Sequence, residues 1–185
     1  MPASNHPPII ITGPQRSGTT IATHILADDL NRQAIDEIDF IPGKDYTNCI
    51  IQSPNAMDAY VMLLHMYPGL QFILIRRSKQ DIIASMKRIQ WCKDDVQDWE
   101  QFLEQYVDSR LRIWEQVKQD FPDSCSELPY EALAGHSLFV SKDKRSAFTT
   151  QQWQVGKPLG PKLWPNNFVG IQELYGERHT QSIAG

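Results

Sequence analysis

The sequence has 185 residues, 41% of them hydrophobic and 22% charged, with a net charge of −4 at pH 7. This length suits one domain with a sizeable core, and the acidic balance argues against a general nucleic-acid binder. No apolar run is long enough to span a bilayer, and the first eight residues lack the apolar core of a signal peptide. The three widely spaced cysteines predict neither a disulfide framework nor structural zinc. We therefore expect a single cytoplasmic domain over residues 1–185 that binds neither nucleic acid nor membranes.

The first predicted element is a buried strand over 9–12, which runs through a glycine-bearing turn into a helix over 18–31. Such a turn aims main-chain N–H groups at an anion and adds the positive end of the helix dipole. Gly13 and Gly18 keep the spacing of the nucleotide triphosphatase loop GxxxxGK[ST], but Thr19 stands at the lysine position and the nearest cation is Arg16. The turn therefore predicts a phosphate site, with an unusual nucleotide kinase as one open interpretation.

Strands and helices alternate along the next part of the chain. We predict strands at 34–38, 48–52, 71–75 and 124–128, and helices at 53–66, 80–89 and 95–119, with Ser53 as N-cap and Pro54 at the first helical position. This alternation predicts an α/β fold, a three-layer P-loop-like parallel sheet flanked by helices on both faces. Ligands of such sheets bind at the carboxyl ends of the strands. We expect a core over about 8–135 and a cofactor-covering loop or tail over about 136–185.

A second candidate phosphate site follows the strand at 71–75. Arg77 comes just after the strand, and Ser85 follows eight positions later on the next predicted helix. An arginine there can grip a phosphate with a bidentate fork, and a serine two turns along can face the same place. An ordinary solvated Arg76–Arg77 pair is the alternative. The position of this segment after the first phosphate loop favours the ligand site.

Both segments resemble motifs of the sulfotransferases that use 3′-phosphoadenosine-5′-phosphosulfate (PAPS), closest in pattern to tyrosylprotein-type and bacterial members. Residues 14–20 are similar to the family's 5′-phosphosulfate loop, and Arg77 with Ser85 is similar to its 3′-phosphate motif. The resemblance implies in-line transfer of a sulfuryl group to a hydroxyl or amine without a metal, leaving adenosine 3′,5′-bisphosphate. It implies that Arg16 binds the cofactor and stabilises the bridging oxygen. Four further loop residues would bind the cofactor: Ser17, Gly18, Thr19 and Thr20.

Two later segments extend this likeness, which is good over residues 8–90 and loose over 125–168. Tyr130, in Tyr-Glu-x-Leu, resembles a tyrosine that lies near the adenosine in the family. An aromatic anchor of the core is an equal alternative for it. Lys157, in Gln-Val-Gly-Lys-Pro, resembles a lysine near a cofactor phosphate, although lysine in a loop rich in glycine and proline is usually only solvated.

Glu37 is the candidate general base, because tyrosylprotein-type members carry a glutamate at a similar distance after the loop arginine. Its acidic neighbours at 36 and 39 favour a base that works near neutral pH, and a solvated acidic loop is the alternative. One departure concerns Gln52, which stands where many relatives have a lysine that steadies the transferred group. Glutamine brings no charge, so either another cation substitutes or the protein catalyses slowly.

The acceptor is the least readable part of the sequence. Trp91, Trp99 and Phe102 could line an acceptor site or simply pack a helix. The expected acceptor is a small molecule, glycan or peptide. Since the chain is shorter than most full-length sulfotransferases, we expect an acceptor site that is either open or completed by the second subunit of a homodimer. A P-loop kinase or a catalytically weak nucleotide-binding protein remains the alternative function.

Overall fold

The structure is a computed structural model that describes residues 6–136 and 138–139. Within these residues a single sheet is formed by five parallel strands in the order β2-β3-β1-β4-β5. The strands are β1 (Ile9–Thr12), β2 (Gln33–Ile35), β3 (Cys49–Gln52), β4 (Gln71–Arg76) and β5 (Cys125–Pro129). Strand β1 lies at the centre, with β2 and β3 on one side of it and β4 and β5 on the other. The order of strands therefore reverses at β1. The carboxyl end of β1 is therefore the place where such a sheet binds ligands.

Helices connect these strands and cover both faces of the sheet. They are α1 (Thr19–Leu30), α2 (Tyr60–Met66), α3 (Lys79–Arg88) and α4 (Trp99–Asp120), with short 3-10 turns at Glu37–Asp39, Ala56–Ala59, Lys93–Asp95, Pro122–Ser124 and Tyr130–Gly135. Side-chain caps fix two helix starts: Ser78 accepts a hydrogen bond from the Asp81 N–H, and Asp98 accepts one from the Gln101 N–H. None of the helices in the described residues is long and apolar enough to cross a membrane.

The isoleucines of β1 divide the core into two layers. Ile9 and Ile11 point to one face of the sheet, where α1 and the segment after β5 cover them. Ile10 points to the other face, into a cluster that includes Trp114 of α4 and Met57. Successive strand side chains alternate between faces, so a strand buried on both sides must be apolar throughout. This arrangement confirms the predicted α/β class with helices on both faces.

The predicted helix start at Ser53 and Pro54 is wrong. The Ser53 N–H donates to the Ile11 carbonyl at 3.0 Å, so the sheet pairing continues one residue past β3. Thr12 then holds the next turn, because its hydroxyl donates to the Pro54 carbonyl at 3.3 Å. These contacts with β1 draw the chain into a turn and a 3-10 segment, and α2 begins only at Tyr60.

Two other predicted elements are shorter than expected. The strand predicted at 34–38 ends at Ile35, because the chain turns into the 3-10 segment Glu37–Asp39. The helix predicted from 95 begins at Trp99, where Asp98 supplies the cap. In both places a local turn or cap, which a single sequence signals weakly, sets the boundary of the element.

Candidate functional site

The first candidate phosphate loop closes tightly at the carboxyl end of β1. Gly13 has a φ of +146°, and a Cβ atom there would lie 2.7 Å from the Ser17 Oγ. The Ser17 N–H donates to the Pro14 carbonyl at 3.0 Å and completes the turn. Gly18 precedes α1 with a φ of +109° and gives no side-chain cap, so the N-terminal N–H groups of the helix keep their capacity to bind an anion.

Two buried donors at this end of the sheet have no hydrogen-bond partner within the described residues. The Ser17 side chain is fully buried and its Oγ makes no hydrogen bond. The Nε of Arg77 is buried in the same way and is also unpaired. Buried polar atoms are nearly always hydrogen-bonded in folded proteins, and exceptions call for an explanation such as a ligand. A hydroxyl and a guanidinium N–H suit an anion, so these residues fit a phosphorylated cofactor.

Arg77 joins the two candidate phosphate motifs. Its Nη1 donates to the main-chain oxygen of Arg16 at 3.0 Å, and its guanidinium carbon lies 4.3 Å from the centre of the Tyr130 ring. The same ring lies 2.5 Å from the position that a Cβ atom of Gly18 would take. Tyr130 is only 8% exposed and therefore packs directly against residues of both motifs.

Beside the second candidate phosphate motif lies an arginine that the sequence analysis did not name. Ser85 lies on α3 and is only 4% exposed. Arg88, one helical turn later, donates from Nη2 to the Ser85 hydroxyl at 3.3 Å. The spacing of three positions on a predicted helix was the available signal, because such side chains lie on the same face.

Glu37 lies beside the phosphate loop and is held by two amides. Gln15 donates from Nε2 to its Oε2 at 3.4 Å, and Asn55 donates from Nδ2 to its Oε1 at 3.2 Å. The Gln15 main-chain N–H in turn donates to the phenol oxygen of Tyr106 at 3.2 Å. Sequence reasoning named Glu37 and missed the other three residues, since contacts across 18 to 91 positions leave no local pattern.

Electrostatics keep the Tyr106 phenol protonated. Burial raises its pKa, and the carboxylates Glu37 and Asp58 act in the same direction. The hydrogen bond from the Gln15 main chain and the Arg110 charge oppose this shift and are outweighed. Arg110 pairs with Asp58 at 2.6 Å and lies 5.4 Å from the Tyr106 ring centre. A neutral phenol can accept the Gln15 N–H and keep its own proton.

His24 on α1 does not add a cation near the loop at neutral pH. Burial lowers its pKa, and the Asp36 carboxylate, 3.8 Å away, offsets this only in part. Among the described residues that are named here for the candidate phosphate sites, the positive charges are those of Arg16, Arg77 and Arg88.

The remaining predicted residues fall into three groups. Gln52 ends β3 and pairs in register with Ile11, so it lies at the same edge of the sheet as the loop. Trp91, Trp99 and Phe102 pack beside the α3–α4 interface, and Trp99 donates from Nε1 to the Trp91 carbonyl at 2.7 Å. Lys157 lies outside the described residues, as do residues 137 and 140–185 of the covering segment predicted over about 136–185.

Comparison with known proteins adds a family match. A family model described as the sulfotransferase family matches residues 28–138, which is more than half of the chain. The match contains Glu37, Arg77, Ser85 and Tyr130 and begins after the first phosphate loop. A search of curated proteins gave no match.

Proposed function

The chain belongs to the sulfotransferase family, and we propose that it transfers a sulfuryl group from PAPS to a hydroxyl or amine of a small molecule, glycan or peptide. The observation that carries this proposal is the hydrogen bond from Arg77 to the main chain of Arg16. It brings a loop suited to the 5′-phosphosulfate and a motif suited to the 3′-phosphate into direct contact. A donor with two separate anionic groups matches two adjoining anion sites better than a triphosphate does.

The proposed donor site uses groups already at the carboxyl edge of the sheet. Ser17, the N–H groups that open α1 and Arg16 would hold the 5′ side. Arg77, Ser85 and Arg88 would hold the 3′-phosphate, where charge-assisted hydrogen bonds are strongest. The unpaired Ser17 Oγ and Arg77 Nε support this assignment, because a bound anion would supply the partners that they lack.

The proposed reaction needs positioning and charge stabilisation more than covalent chemistry. The acceptor oxygen or nitrogen forms a bond to sulfur while the bond from sulfur to the 5′-phosphate oxygen breaks. Arg16 stabilises the charge that develops on that leaving oxygen. Glu37 takes the acceptor proton, and adenosine 3′,5′-bisphosphate leaves with the electron pair of the broken bond.

The proposal is tested first by ligand binding. Adenosine 3′,5′-bisphosphate at about 100 times its Kd should raise the Tm by about 5–10 °C, because a ligand that binds only the folded state stabilises it. Adenosine 5′-monophosphate should give a smaller rise, since it lacks the 3′-phosphate. Arg77→Gln should remove most of the difference between the two ligands. Arg112→Gln, at an exposed arginine of α4, serves as the matched control and should keep this difference.

A second assay follows radiolabelled sulfate from PAPS to a panel of hydroxyl and amine acceptors. Transfer to any acceptor, lost in Arg16→Ala, supports the proposal. Stabilisation by ATP with magnesium and by neither adenosine phosphate would overturn it and favour a P-loop kinase. Thr19, at the position of the kinase lysine, argues against that outcome.

A further inference from the structure

Tyr106 connects a distant helix to the first phosphate loop. It lies in the first half of α4, and its phenol oxygen accepts the main-chain N–H of Gln15 at 3.2 Å across 91 positions of sequence. Its ring centre lies 4.8 Å from Trp91 and 6.2 Å from Phe102, so the side chain is held in place by its neighbours. Because the ring is packed and its hydroxyl accepts a hydrogen bond from the loop, Tyr106 fixes the position of the loop relative to α4.

Gln15 passes this constraint on to the candidate base. Its main-chain N–H is bound to Tyr106, while its side-chain amide donates to Glu37 Oε2 at 3.4 Å. Asn55 holds the other carboxylate oxygen at 3.2 Å. With both oxygens held, the direction of the carboxylate depends on where the Gln15 main chain lies.

We propose that Tyr106 is a positioning residue of the transfer site: it fixes the Gln15 main chain, and through the Gln15 amide it orients Glu37 toward the acceptor. This inference rests on the proposed sulfuryl transfer. It also divides the loop into two functional parts. The Gln15 N–H is committed to the protein and serves the base, whereas the buried Ser17 hydroxyl without a partner remains for the anion.

A hydroxyl is needed for this role, and ring packing alone does not provide it. Phenylalanine at position 106 would preserve the contacts with Trp91 and Phe102 but leave the Gln15 N–H without its acceptor. An unpaired, partly buried amide is costly, so the loop would shift to find water or another acceptor. A shift of about 1 Å in a positioned catalytic group can cost about 100-fold in rate.

The first test compares Tyr106→Phe with wild type in steady-state sulfuryl transfer. We expect kcat to fall by about 10- to 100-fold, and we expect a clearly smaller change in KM for PAPS, because the substitution removes no side chain that is proposed to bind PAPS. Tyr60→Phe is the matched control. Its hydroxyl bonds to the exposed Asp120 at 2.8 Å, away from the loop, and its loss should leave kcat unchanged.

A double variant separates action through Gln15 from direct contact with substrate. Gln15→Ala removes the amide that reaches Glu37 but keeps the main-chain N–H. If Tyr106 acts through that amide, Tyr106→Phe should cause little further loss of kcat in the Gln15→Ala background. A full, independent loss in both backgrounds would overturn the proposal, as would an unchanged kcat in Tyr106→Phe.

A binding-independent measurement distinguishes this inference from the proposed function. The side-chain amide resonance of Gln15 reports its hydrogen bond to Glu37, and Glu37→Gln defines the position of that resonance when the carboxylate is absent. We expect Tyr106→Phe to move the Gln15 resonance toward that position and to speed hydrogen exchange at the Gln15 main-chain amide. If both signals stay at their wild-type values, Tyr106 does not position Gln15, whether or not the protein transfers sulfate.

Discussion

Arg77 donates a hydrogen bond from Nη1 to the main-chain oxygen of Arg16 at 3.0 Å, across 61 positions of sequence. The second motif therefore supports the first directly, and Tyr130 packs against both of them. A cofactor that spans the two sites would meet a surface that is already assembled. Such preorganisation lowers the cost of binding, because fewer groups must be ordered when the ligand arrives.

Arg88 is expected to recognise the 3′-phosphate together with Ser85, to which it donates a hydrogen bond at 3.3 Å. A hydrogen bond to a charged group contributes about 1.5–3 kcal/mol. Arg88→Ala should therefore weaken adenosine 3′,5′-bisphosphate binding by about 10- to 150-fold, measured by titration calorimetry. The affinity for adenosine 5′-monophosphate should stay the same, because this ligand has no group for Arg88 to bind.

Lys87→Ala is the control for this experiment. Lys87 is the adjacent basic residue of α3 and pairs with Glu100 at 2.6 Å, away from Ser85. The Lys87→Ala variant should bind adenosine 3′,5′-bisphosphate and adenosine 5′-monophosphate with wild-type affinity at matched ionic strength. An equal loss for the bisphosphate in both variants would point to a general charge effect and contradict a specific role for Arg88.

Glu37 is expected to act in the transfer step and not in cofactor binding. Glu37→Gln keeps the size of the side chain and removes its capacity to take a proton. The rate of sulfuryl transfer should fall by about 100- to 10,000-fold, the usual range for a general base. Binding of adenosine 3′,5′-bisphosphate should change by less than about twofold, because the two amides that hold Glu37 lie outside the proposed phosphate contacts.

Asp39→Asn provides the comparison, since Asp39 lies exposed on the same 3-10 turn. It should retain the wild-type rate. If Asp39→Asn and Glu37→Gln lose activity equally, the turn acts through its total negative charge. In that case Glu37 is not the base.

Local patterns in the sequence predict some parts of the candidate site. Strand β1, the glycines of its loop and the spacing of Arg77 and Ser85 each follow from a few consecutive residues. The contacts that join them were not predictable in the same way. Whether the Gln15 N–H meets Tyr106, or Gln15 meets Glu37, depends on how α4 packs over the sheet, and no residue in these segments signals it.

The error at Ser53 has the same origin. Serine followed by proline is a good helix start by local preference, but here the backbone of Ser53 continues the pairing with Ile11 of β1. Tertiary hydrogen bonds outweigh a capping preference of about 1 kcal/mol. The edge of the sheet near the site is therefore where local preference was the poorest guide.

Gly18 is expected to tolerate no side chain, for two separable reasons. Its φ of +109° is strained for alanine, and an added Cβ would lie 2.5 Å from the Tyr130 ring. Gly43 has a similar φ of +95° with no atom within 4 Å of the added Cβ. Gly43→Ala should therefore cost only the conformational strain, about 1–2 kcal/mol, and Gly18→Ala should cost about 2–4 kcal/mol.

Urea unfolding of both variants measures this difference. The excess cost of Gly18→Ala should disappear when Tyr130→Ala is introduced as well, because the clashing ring is then gone. An excess that persists without the ring would show that the backbone alone restricts position 18. In that case Tyr130 does not explain the glycine.

Glu127 on β5 is expected to make stability depend on acidic pH. Burial raises the pKa of its carboxyl, but hydrogen bonds from Lys118 and Trp114, each at 2.8 Å, together with the charges of Arg76 and Lys118, lower it below its ordinary value of 4.5. A carboxyl with a lower pKa in the folded state binds fewer protons there than in the unfolded chain. Its stabilising contribution is therefore complete above pH 4.5 and is lost as the pH falls through the folded-state pKa.

Glu127→Gln should be less stable than wild type by about 1–3 kcal/mol at pH 7, since it removes the charged acceptor of three donors. The difference should narrow as the pH falls below 4.5, because the wild-type carboxyl then becomes neutral as well. Glu115→Gln is the control: Glu115 is 63% exposed and pairs with the same Lys118 at 3.5 Å, so its loss should matter by less than about 1 kcal/mol. Urea unfolding across this pH range measures all three proteins. A difference between Glu127→Gln and wild type that stays constant with pH would mean that the side chain stabilises by its shape and not by its charge.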